Sequence, residues 1–163
     1  GTVESYIAGI VDGNSNGAVV RPGDELEYTI PFLSNGDVAA QGVLICDRIP
    51  SNTTFILTAF DSETPASSAP GPRDILVEVN GAQVALTNAN DGDEIPDSGG
   101  DNGVGGYYFP PGIEPSTTFP GISCSGTNDN GAIVVDLSDI PNATGDGTPT
   151  DSYGFIRFRA VVD

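Results

Sequence analysis

The chain has 163 residues, carries 23 Asp and Glu against 5 Lys and Arg for a formal net charge of -18, and contains no His, Met or Trp. Its 37% hydrophobic content can supply the core of one domain, while the acid excess excludes a surface for nucleic-acid backbones or for anionic lipid. Without histidine there is no Ser-His-Asp, Cys-His or histidine-metal centre, and the basic residues are all arginines, so Schiff-base and phosphate-loop lysines are excluded too.

In chain order, Val3 to Val11 reads as a strand, offering Val3, Tyr6, Ile7 and Ile10. Two destinations are open for it: it completes its own sandwich, or it pairs with the sheet edge of a neighbouring copy by strand addition. The loop that follows, Asp12-Gly13-Asn14-Ser15-Asn16-Gly17, alternates oxygen ligands at Asp12, Asn14 and Asn16 and so suits calcium. It lacks the acid expected at the end of such a loop, where only Asp24 lies nearby, and a plain Asn-Gly turn is the alternative. Residues 1–17 are therefore assigned to an N-terminal strand or arm with its loop, and 18–163 to the main domain.

From Leu26 to Phe32, apolar Leu26, Tyr28, Ile30 and Phe32 alternate with Glu27 and Thr29, the period-two pattern of a strand, and Pro31 marks it as an edge or bulge. Further strands are expected at Gly42 to Ile49, Thr54 to Phe60, Asp74 to Val79, Gln83 to Leu86, Gly105 to Phe109, Ala132 to Leu137 and Tyr153 to Val162. Turn formers separate them at Ser34 to Asp37, Pro65 to Pro72, Asn80-Gly81 and Asn142 to Thr150, and Asn80-Gly81 is the strongest hairpin signal. In the last strand Arg157 and Arg159 share the face opposite Ile156, Phe158, Ala160 and Val162, where carboxylates or a partner would meet them. Many short strands without a helical period predict an all-β antiparallel sandwich with long Gly/Asp/Pro-rich loops, and a jelly roll stays open.

Between strands, Asn90 to Asp97 and Asp101-Asn102-Gly103 form an acidic insertion around 88–103. Asp91, Asp93, Asp97 and Asp101 would repel one another at close range unless a cation such as calcium lay between them; the alternative is a solvated acidic loop. Asp129 and Asp146 are weaker candidates. Tyr107 and Tyr108 beside this insertion offer either a sugar-stacking platform or core aromatics. Asp47 and Glu63 are the kind of carboxylate pair a glycosidase uses, but acids are so common here that no enzyme activity is expected. Asn52-Thr53-Thr54 and Asn142-Ala143-Thr144 match the N-glycosylation pattern. Cys46 and Cys124 are expected to form one disulfide closing a loop of roughly 80 residues, worth roughly 4 kcal/mol on a chain-entropy view. Two separate thiols are the alternative.

Arg21 to Ile30 with its Pro22-Gly23-Asp24 turn and Tyr28-Thr29-Ile30 strand, the Asn35-Gly36 turn, the Val43 to Ile45 strand and the Asp47-Arg48-Ile49-Pro50 turn leading into Thr54-Phe55 together resemble the bacterial extracellular repeats named domain of unknown function eleven. The resemblance covers residues 21–60, with a weaker match at Tyr153 to Val162. It implies an immunoglobulin-like β-sandwich, an extracellular or cell-surface location, and no reaction. The expected function is a structural or adhesive module, a subunit of a self-assembling surface filament or sheath; the alternative is a calcium-dependent carbohydrate-binding module. Partners would be copies of itself, other surface proteins or glycans, with no nucleic acid and no direct membrane insertion, since no apolar run reaches the roughly 18 residues of a membrane span.

Overall fold

The computed structural model describes residues 19–63, 71–79, 81–87, 104–145 and 148–163. Its strands are β1 (Glu25–Leu33), β2 (Leu44–Arg48), β3 (Thr53–Phe55), β4 (Arg73–Val79), β5 (Ala82–Thr87), β6 (Gly105–Phe109), β7 (Ala132–Asp136) and β8 (Tyr153–Val162). Short 3-10 turns at Pro115–Thr117 and Thr150–Ser152 are the only helical pieces among the described residues. All pairings are antiparallel: a five-stranded sheet runs β1-β8-β4-β5, with β3 also on β8, and a three-stranded sheet runs β2-β7-β6.

The two sheets pack face to face, as expected of a sandwich. Phe32, Phe55, Ile75, Ile156 and Phe158 from the larger sheet meet Ile133 and Val135 from the smaller one, all buried. Tyr28 stacks on Phe158 at 4.9 Å and Phe55 on Tyr108 at 4.4 Å between ring centroids. Burying each such ring contributes roughly 1.5–3 kcal/mol. A helix could not form from these segments, because the alternation that builds each face has period two and turn residues interrupt it every few positions.

Several turns follow directly from their residues. Pro22-Gly23 forms the centre of a type II turn: Gly23 takes a φ of 90°, Asp24 donates its backbone N–H to the Arg21 carbonyl at 3.0 Å, and the Asp24 carboxylate accepts the Arg21 N–H at 2.8 Å. Gly81, with a φ of 69°, lies in the two-residue connection between Val79 and its partner Ala82, so the expected β4-β5 hairpin is present.

Two features differ from the sequence reading. The strand expected from Thr54 to Phe60 stops at Phe55; from Ile56 onward the chain turns, with the Ala59 N–H on the Ile56 carbonyl and the Glu63 N–H on the Phe60 carbonyl. The turn plants Phe60 under the guanidinium of Arg159, 4.7 Å from the ring centre, on the outer face of the larger sheet. The second difference is strand order. In the immunoglobulin constant-type arrangement the last strand is an edge beside the penultimate one. Here the described β8 lies inside its sheet between β1 and β4, and β7 lies between β2 and β6.

Candidate functional site

The smaller sheet is covered twice. Its inner face meets the larger sheet, and its outer face carries a second apolar cluster in which Tyr107, Phe109, Ala132 and Val134 pack with Cys46, Phe119 and Ile122. That is why β7, Ala-Ile-Val-Val, is an unbroken apolar run rather than an alternating one. The covering segment, between β6 and β7, is tied down at several points. Cys46 on β2 is bonded to Cys124, so the expected disulfide is present. Arg48, two residues on, donates to the Cys124 carbonyl at 3.2 Å, the Gly126 carbonyl at 2.8 Å and the Glu114 carboxylate at 2.9 Å. Glu114 also accepts the Asn128 backbone N–H, and these two donors, the Arg48 side chain first, hold its carboxyl below the usual range. The buried Asn128 side-chain amide donates to the carbonyls of Phe109, Pro110 and Ile113. None of this was visible in the sequence beyond the cysteine pair, since Arg48, Glu114 and Asn128 lie in no recognisable spacing.

The two faces of the smaller sheet decide the fate of the two tyrosines. Tyr107 is 7% exposed, its ring edge-on to Phe119 at 4.8 Å, and Tyr108 faces the interior against Phe55. Burial raises the Tyr108 phenol above its ordinary pKa. Asp47 and Glu63 fall in separate regions, the first on β2, half-buried and raised by that burial against the pull of the Arg48 N–H, the second in the turns after β3. Among the described residues no group of three or more His, Cys, Asp or Glu is placed to hold a metal. Asp12, Asn14, Asn16, Asp91, Asp93, Asp97 and Asp101 lie outside the described residues, as do Val3, Tyr6, Ile7, Ile10 and Asp146. Asp129 accepts the Thr127 hydroxyl, and Asn52 takes a φ of 61° in the exposed turn before β3.

The flanks of the sandwich are unequal. On one side β6 approaches β5 and β4 so closely that a Cβ at Gly106 would lie 3.1 Å from the Leu86 side chain and 3.4 Å from Ile75. On the other side the sheets end, among the described residues, in β1 and β2, where Tyr28, Ile30, Val43 and Ile45 are only partly buried and Leu44 is 37% exposed.

The hydrogen-bond parity of β1 defines this edge atom by atom. The Ser34 N–H bonds the Ser152 carbonyl and the Val162 N–H bonds the Asp24 carbonyl, each within the register that pairs Phe32 with Gly154 and Leu26 with Ala160. Even-numbered positions therefore exchange bonds with β8, and the backbone groups of Glu25, Glu27, Thr29, Pro31 and Leu33 point away from it. Among the described residues nothing bonds them. Pro31 has no N–H to offer, which is how proline is accommodated at an edge. On the outer face, Glu27 pairs with Arg159 at 2.9 Å and Arg157 at 3.5 Å, and Glu25 with Arg159 at 3.4 Å, so the arginines do meet carboxylates. No helix among the described residues is long and apolar enough to cross a membrane.

No family model, curated protein or solved structure matches this chain.

Proposed function

We propose that the protein is an extracellular structural module that assembles with copies of itself by strand addition. The observation that carries this reading is the outward edge of β1, which presents backbone donors at Glu25, Glu27 and Thr29 above a row of half-buried apolar side chains. A strand laid there gains main-chain hydrogen bonds and covers Leu26, Tyr28 and Ile30 in one step. The strand assigned to it is Val3 to Val11 of a second copy, offering Val3, Tyr6, Ile7 and Ile10. The disulfide supports an oxidising location such as the cell surface. Kinship with the domain of unknown function eleven repeats rests on the motifs of residues 21–60, and the strand order of β7 and β8 counts against the immunoglobulin-like assignment that goes with it. The carbohydrate-binding alternative loses support from the covered rings of Tyr107 and Tyr108.

Substituting Thr29 with proline removes one outward N–H while leaving the β8 ladder intact, whereas proline at Ile30 cuts the ladder itself. Electron microscopy of the purified protein in calcium-containing buffer should show filaments or lattices that Thr29→Pro and deletion of residues 1–11 each abolish without unfolding the domain. Isolated particles in the wild type, or filaments unaffected by both changes, would refute the strand-addition reading. Calcium is proposed as a stiffening ion for the segments Asp12 to Asn16 and Asp91 to Asp101; a chelator should then lower the melting temperature, and excess calcium should restore it.

A further inference from the structure

Asp74 is the one acid among the described residues that is fully enclosed, with an exposure of 0%. Both carboxyl oxygens lack a hydrogen-bond partner. It lies where β4 departs from regular pairing: Arg73 is opposite Thr87 and Ile75 opposite Leu86, so the bulge leaves Asp74 as the extra residue. The turn after β3 closes over this point, with the Arg73 N–H on the Asp61 carboxylate at 2.7 Å and the Phe60 N–H on the Arg73 carbonyl at 2.9 Å.

A carboxylate in such a place would forfeit its hydration with nothing in return, a cost of several kcal/mol for an uncompensated buried charge. A neutral carboxylic acid forfeits far less. Of the charged and titratable groups around it, Asp61 is the one whose charge acts on it, and it pushes the same way. Asp61, from the turn, brings a second negative charge, and Tyr108, from β6, is a neutral phenol. From β5 the facing residue at the bulge is Thr87, which carries no charge. The arginines of β8, Arg157 and Arg159, are held on the outer face by Glu25 and Glu27. The nearby backbone N–H of Asp74 itself opposes the trend but makes no hydrogen bond of normal geometry to the carboxyl.

We propose that Asp74 keeps its proton in the folded protein, so that folding takes up one proton from solvent and loss of that proton loosens the β4 bulge and the Phe60 turn packed on it. The device is a pH-sensitive latch built into the larger sheet, and it is independent of how the β1 edge is used.

The sign follows from linkage. In the unfolded chain this carboxyl titrates at its ordinary 3.8; in the folded chain burial first, then the charge of Asp61, move it well above that. Stability from this group is complete below pH 3.8 and is lost as pH rises through the interval up to the folded value. Within that interval the folding constant of the wild type should fall about tenfold per pH unit relative to Asp74→Asn, which mimics the neutral acid. Denaturation across acid to mildly alkaline pH compares the two, and a carbon-detected NMR titration of the wild type reads the Asp74 carboxyl directly, so the proposal is testable even if Asp74→Asn fails to fold. The expected spectrum shows one aspartate still protonated well above pH 3.8, with its midpoint moved down in Asp61→Asn. Coincident pH slopes for wild type and Asp74→Asn, or an Asp74 carboxyl that ionises near its ordinary value, would overturn the proposal.

Discussion

Gly154 sits where three strands leave no room for a side chain. It pairs with Phe32 on one side and Val79 on the other, and a Cβ built there would collide with the Glu78 carbonyl and come within 2.7 Å of the Phe32 ring. The contact with Glu78 is backbone, which cannot rotate aside. Gly154→Ala should therefore destabilise the fold by about 3 kcal/mol, at the upper end of overpacking costs, as read by urea denaturation. Asn128 is the polar counterpart. Its amide feeds three carbonyls, so Asn128→Asp replaces a shared donor with a buried acceptor and should cost about 3 kcal/mol, with the loss growing as pH rises and the new carboxyl ionises.

At the scale of elements, the disulfide joins β2 to the segment that roofs the smaller sheet, across a sequence separation of 78. Cys46→Ala should lower stability by about 4 kcal/mol under oxidising conditions, and the difference from wild type should nearly vanish in reductant, where both lack the crosslink. Strand β8 begins and ends where its alternation puts it, because one face lies in the core, and β6 keeps its expected bounds although both of its faces are covered. The stretch after Phe55 has the sequence of a strand because Ile56, Leu57, Ala59 and Phe60 are apolar enough to extend β3. Among the described residues the ladder with β8 goes no further than the Ile56 N–H on the Arg159 carbonyl, and Phe60 is buried by a turn instead. The strand order was not legible at all, since alternation says that a segment has a buried face but never which neighbour fills its edge. Asp74 was equally hidden: in a chain rich in exposed aspartates, nothing local marks the one that a bulge turns inward.

For the molecule as a whole, two carboxyl groups pull stability in opposite directions with pH. Glu114 is held below 4.5 by Arg48 and Asn128, so its contribution is present above that value and lost as pH falls through the lower folded value. Glu114→Gln should thus be less stable than wild type near neutrality, and the gap should close in acid, the reverse of the Asp74→Asn comparison. The formal charge of -18 adds self-repulsion that salt screens, so raising ionic strength with a monovalent salt should raise the melting temperature. The position of β8 has a further consequence. The ten residues from Tyr153 to Val162 hold β1, β3 and β4 together, yet they are synthesised after every other described strand. A chain leaving the ribosome has β1 in hand more than a hundred residues before its partner exists, as the pairing of Glu25 with Val161 requires. During translation β1 and β3 therefore wait, without their partner, until β8 arrives, while the β4-β5 hairpin needs no such wait.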